Sequence, residues 1–184
     1  MFCKENMVKK FYYGLVSLKY VYAMFGIPLV IFTVAFIETK SHNPVFKVIM
    51  SICAVTLATV IVFYYRDKLR IRKTINAVTD VNAYLSGGMV DRTYILEDRM
   101  LACADLNLKE ISTEGIRTLE LTEEKHGKPY MKLTSDSDAC MVSALSKEEA
   151  QRFAAFIQRK NPDVRISGIE PKGNGTLKEL GASR

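Results

Sequence analysis

Two runs decide the fold: YVYAMFGIPLVIFTVAFI at residues 20–37 and VIMSICAVTLATVIVFYY at residues 48–65. Each is eighteen residues long and carries no charged side chain. At a rise of about 1.5 Å per residue, each makes a helical rod of roughly 27 Å, close to the hydrocarbon thickness of a bilayer. A helix packed on a soluble core normally keeps a polar stripe. The only polar side chains in these runs are hydroxyls and thiols, and Ser51, Thr56 and Thr59 are placed to bond back to the carbonyls of the preceding turn. Tyr20 and Tyr22 at one end, and Phe63, Tyr64 and Tyr65 at the other, have the composition of a membrane–water interface. Pro28 would break a helix exposed to water. In lipid it is tolerated and predicts a mild kink near Gly26-Ile27-Pro28. The expectation is a membrane-embedded α-helical hairpin over residues 20–65.

Lysines and arginines set the expected orientation. Lys4, Lys9, Lys10 and Lys19 precede the first run, and Arg66, Lys68, Arg70, Arg72 and Lys73 follow the second. The loop between the runs has only Lys40 and Lys47, opposed by Glu38. The positive-inside rule then places both termini in the cytoplasm and the hairpin in the cell membrane. Residues 1–19 form a basic, aromatic lead-in. The long first run ends without a small-residue cleavage site, so an uncleaved anchor is expected in place of a secretory signal. Cys3 is a weak candidate for acylation.

Small residues Ser51, Ala54 and Ala58 line one face of the second run at spacings of three and four. Such a face admits close approach of a helix. It suits packing on the chain's own first run better than a homo-oligomer seam. Beyond the second run, residues 66–85 predict a juxtamembrane amphipathic helix with Ile71, Ile75, Val78, Asn82 and Leu85 on one side. Its basic residues Arg66, Lys68, Arg70, Arg72 and Lys73 are candidate contacts for anionic lipid head groups. Gly87-Gly88 marks a boundary, so residues 66–88 form the connector.

From residue 89 the pattern changes to short alternating runs. Residues 89–96, 99–104, 106–111, 115–122, 128–135 and 139–145 read as strands separated by polar or Gly-containing turns, a small antiparallel sheet or barrel. A helix follows. Ser146 is its expected N-cap and Glu149 completes a capping box. Ala150, Phe153, Ala154 and Ile157 form its apolar stripe, and Asn161-Pro162 stops it. Residues 163–184 are rich in glycine and lack a period, which predicts a flexible tail. Ile166 and Ile169 offer a short added strand as the alternative.

The basic N-terminus, the two apolar runs, DRTYILEDRMLACADLNLKEIS (91–112), TLELTEEKHGKPYMKL (118–133) and SKEEAQRFAAFIQRKNP (146–162) together resemble bacterial two-span membrane proteins with a cytoplasmic pleckstrin-homology-like domain. The resemblance implies a PH-like α+β domain over residues 89–162, closed by its C-terminal helix. It is architectural and brings no site residue with it.

Charge narrows the function. The chain carries +6, distributed as +7 in residues 1–88, −2 in residues 89–162 and +1 in the remainder. The positive charge therefore sits at the ends of the apolar runs, and the slightly acidic module argues against nucleic acid as a partner. Cys3, Cys53, Cys103 and Cys140 show no metal-type spacing, and reduced thiols are expected in the cytoplasm. His42 and His126 would lie on opposite sides of the membrane, so neither a metal nor a cofactor is expected. The carboxylates Glu97-Asp98, Glu123-Glu124, Asp136, Asp138 and Glu148-Glu149 all fall in turns or at a helix start, where acids have structural reasons to occur. No constellation meets the requirements of an active site. The sequence predicts a non-enzymatic membrane-anchored scaffold or binding protein with membrane lipids and a protein as partners. Two alternatives are an anionic-lipid-recognising module and an oligomeric pore or transport accessory subunit.

Overall fold

The computed structural model describes residues 6–38, 44–104, 106–125, 127–136 and 138–181. The chain divides into two compact units, one of residues 9–73 and the other of residues 6–8 with 74–181. Expectations that fall on Cys3, Lys4, Lys40, His42 and His126 lie outside the described residues.

The first unit consists of helices α1 (Met7–Glu38) and α2 (Pro44–Ala77), of 32 and 34 residues, the latter ending in the second unit. At about 1.5 Å per residue they are roughly 48 and 51 Å long. Each is long and apolar enough to cross a membrane, and only 6% of either apolar window is buried. Tyr22, Phe25, Leu29, Val55 and Val62 are all more than 60% exposed. These are not the core helices of a globule. α1 runs through Pro28. The hydroxyls behave as the sequence predicts: Ser51 Oγ donates to Lys47 O (2.9 Å), Thr56 Oγ1 to Ile52 O (2.8 Å) and Thr59 Oγ1 to Val55 O (2.8 Å). Each satisfies its own polarity inside its helix and leaves an apolar exterior.

The second unit is α+β. Strands β1 (Gly88–Val90), β2 (Thr93–Ile95), β3 (Arg99–Ala104) and β4 (Asn107–Ser112) form an antiparallel meander. Strands β5 (Ile116–Lys125), β6 (Lys128–Ser135), β7 (Ala139–Ser143) and β8 (Arg165–Ser167) form a second sheet in the order β7-β6-β5-β8, with β8 parallel to β5. Helix α3 (Lys147–Lys160) buries Ala150, Phe153, Ala154, Phe156 and Ile157 in a core with Ile95, Met100, Ile116, Leu119, Met131, Leu133 and Val142. Ser146 caps it by accepting from Glu149 N (3.2 Å), while Glu149 Oε2 accepts from Leu145 N (2.6 Å).

Four expectations require correction. The expected strand at 89–96 is two strands joined by a two-residue turn, Asp91-Arg92, with Asp91 at φ +42°. Asp tolerates that left-handed conformation better than most residues, and its carboxylate is fixed by Ser143 Oγ at 2.5 Å. The amphipathic helix predicted to reach Leu85 ends at Ala77. Asp80 Oδ1 accepts from Asn82 N (3.1 Å) and Ala83 N (3.2 Å), and this local bonding competes with further helix and opens a 3₁₀ turn at Ala83–Ser86. Ile71 and Ile75 are buried as their stripe requires, but Leu85 is 46% exposed.

The third correction concerns residues 163–181, which are built into the fold. β8 pairs with β5, and α4 (Leu177–Gly181) buries Leu180 beside β1. The glycines that suggested flexibility are packing positions: a Cβ on Gly168 would lie 2.9 Å from Leu121 Cβ, and one on Gly175 would lie 2.6 Å from Ala155 O. The fourth is β3, where alternation fails. Met100 and Ala102 face the central core, yet Leu101 and Cys103 are buried too, as are Leu108, Tyr84 and Val81 outside that core. A strand covered on both faces needs a continuous apolar run, and MLACA supplies one.

Candidate functional site

The basic residues after the second apolar run all lie on α2 and are exposed, but they do not form one patch. Helical spacing puts Arg66, Arg70 and Lys73 on one face and Lys68 and Arg72 on another. Ile71 and Ile75 occupy a buried stripe between them.

The best-defined arrangement is where the apolar run of α1 begins and that of α2 ends. Tyr20 of α1 meets Tyr64 of α2 edge to face, with ring centroids 5.8 Å apart and planes at 84°. The Tyr20 hydroxyl donates to Asp67 Oδ2. This clasp joins the two helices at one level. Around it, Lys19 Nζ lies 5.9 Å from the Tyr20 ring centroid and Lys68 Nζ 5.5 Å from that of Tyr64. Lys68 Nζ is also 3.5 Å from the Tyr64 hydroxyl oxygen, and Arg66 lies over Phe63 at 5.9 Å. Cations held over aromatic faces are stabilised by the ring quadrupole, more so where water is scarce.

Sequence reading singled out these aromatic residues and Lys68 individually but missed their association. The signal was available: Tyr20 and Tyr64 stand nearly equally far from the connection between the two runs, so a hairpin with equal arms brings them together.

Ser51, Ala54 and Ala58 are exposed, whereas Cys53 and Ala35 are the buried small residues of the hairpin. The face expected to pack on the first run is therefore open in a single copy.

In the second unit, several carboxylates are engaged in structural contacts. Glu97 pairs with Lys160 and with Arg159 (3.2 Å), joining the β2–β3 turn to the end of α3. The Lys160 hydrogen bond is the main cause that holds the Glu97 carboxyl below its ordinary range. Asp136 accepts two bonds from Arg117, at 2.7 and 3.0 Å, which lower its carboxyl likewise. Asp138 accepts from Lys109 at 2.5 Å. Tyr84 is buried and donates to Glu110 Oε1 at 2.6 Å; burial, then that bond, pushes its phenol well above the ordinary value. Burial also pushes the Cys140 thiol up to about 12, which leaves it protonated and a poor nucleophile. Among the described residues no group of three or more His, Cys, Asp or Glu could hold a metal.

Comparison with protein-family models, with curated proteins and with solved structures returned no match.

Proposed function

We propose that this chain is a non-enzymatic, membrane-anchored binding protein that displays a PH-like module at the cytoplasmic face. The observation that carries this reading is the exposure of the apolar surface along α1 and α2. Large side chains such as Phe25 (70%) and Leu29 (68%) stand open on helices of 32 and 34 residues. That surface is costly in water and suited to lipid.

The PH-like reading draws support from two antiparallel sheets closed by α3 over a shared core. The strand β8 and helix α4 are additions to that plan. The cytoplasmic assignment of both termini draws support from the exposed basic residues Lys10, Lys19, Arg66, Lys68, Arg72 and Lys73 at the matching ends of the helices. The binding reading draws support from the structural use of Glu97, Glu110, Asp136 and Asp138, which leaves the module's surface as its means of action.

The test is co-purification of the full-length protein from membranes in mild detergent. A protein partner recovered specifically, and lost when the module is unfolded by a core substitution while the hairpin stays in the membrane, supports the reading. Repeated recovery of the chain alone counts against it. A second reading, recognition of anionic lipid by the basic end of the hairpin, is favoured by the Lys19–Tyr20 and Lys68–Tyr64 contacts.

A further inference from the structure

Two ammonium groups, one from each helix, flank a pair of touching tyrosine rings. Among the described residues neither Lys19 nor Lys68 has a carboxylate partner. Asp67, the acid closest in sequence to Lys68, is engaged by the Tyr20 hydroxyl. The oxygen of Tyr64 faces the Lys68 ammonium at 3.5 Å, which leaves the phenol proton to be donated elsewhere. One cation over each ring of the touching Tyr20–Tyr64 pair, and an O–H donor, thus gather at the end of both apolar runs.

We propose that Lys19, Lys68 and the Tyr64 hydroxyl form a site for the phosphodiester of an anionic phospholipid. Charge-assisted bonds from two ammonium groups match the two non-bridging oxygens of a phosphodiester. The tyrosine rings lie at the level where the glycerol backbone and first methylenes of a lipid meet an aromatic interface. The site needs both helices, and the Tyr20–Asp67 bond sets the register that brings its halves together. Arg72 and Lys73, further along α2, carry the same charge but stand over neither ring of the Tyr20–Tyr64 pair, so they contribute general attraction and no pocket.

This inference rests on the membrane reading of α1 and α2. The full-length protein in mild detergent is titrated with phosphatidylglycerol, with phosphatidylcholine or with inorganic phosphate while thermal unfolding is followed. Phosphatidylglycerol is expected to raise the melting temperature at concentrations where the other two do not. The double substitution Lys19→Gln with Lys68→Gln is expected to weaken that response about tenfold, and Tyr64→Phe, which keeps the ring, about threefold. Arg72→Gln with Lys73→Gln removes the same charge and is expected to stay within about twofold of the wild type.

An equal loss in the control pair would overturn the site in favour of net charge. So would an equal response to phosphatidylcholine, and a shift reproduced by inorganic phosphate would assign the site to a soluble anion. Tyr64→Phe decides the matter should the double variant fail to fold. Failure of the membrane reading is seen separately, as wild-type protein recovered in the aqueous fraction.

Discussion

Asn161 ends α3 and holds the second sheet with one side chain. It is buried; its Nδ2 donates to Ile116 O at 2.7 Å and to Glu114 O at 3.2 Å, and its Oδ1 accepts from Asp163 N at 3.1 Å. Asn161→Ala strands the buried Ile116 carbonyl, so a loss of about 1–3 kcal/mol is expected in chemical unfolding of the module. Gly87 is fixed by space: a Cβ there would lie 2.0 Å from Ile95 O, a backbone atom with little room to yield. Gly87→Ala should cost about 1–3 kcal/mol by overpacking. Gly115→Ala, where the nearest atoms stand at 3.8 Å, serves as a control that should change stability far less.

Glu97 gives the pH dependence. Its folded pKa is lowered, chiefly by Lys160, so its contribution is present above the ordinary carboxylate range and is lost as pH falls through the folded value. Glu97→Gln should therefore lower the melting temperature near neutral pH and flatten its dependence below about pH 4.5. Equal slopes in wild type and variant would show that the pair does not matter. None of these three roles was visible in the sequence beyond the residue type. Asn161 and Gly87 were legible as helix stop and breaker, but their partners lie as far as 47 positions away in the chain.

At the scale of elements, the strongest periodicities were legible and the weakest were not. α1, α2 and α3 follow from long apolar runs and from the Ser146–Glu149 cap, signals carried by neighbouring residues. The segment after Asp163 was misread because its glycines have a tertiary cause. Gly168 and Gly175 take φ of +78° and +63° and lie against Leu121 and Ala155, contacts that no local pattern announces. Leu180, 2% exposed, anchors α4 to the core. Leu180→Ala should cost about 2–5 kcal/mol, read as a fall in the melting temperature of the module. A variant as stable as the wild type would return the segment to the status of a tail. The C-terminal end of α2 departs from its pattern for a related reason: Asp80 redirects the backbone with a side-chain oxygen although the apolar stripe runs on to Val78.

For the whole molecule, the two units present different surfaces. The unit of residues 74–181 buries its phenylalanines and charged residues meet in pairs, as water requires. The hairpin exposes its apolar side chains and bonds its hydroxyls back to its own helix carbonyls, a surface suited to lipid. The candidate lipid site was only half legible, since its residue types follow from composition whereas their meeting follows from hairpin register. The central claim is that α1 and α2 reside in a bilayer. It is tested most directly by extracting membranes from cells expressing the full-length chain with alkaline carbonate. The account predicts that the protein stays with the membrane pellet and is released only by detergent. Recovery as a monodisperse protein in the detergent-free supernatant would contradict it.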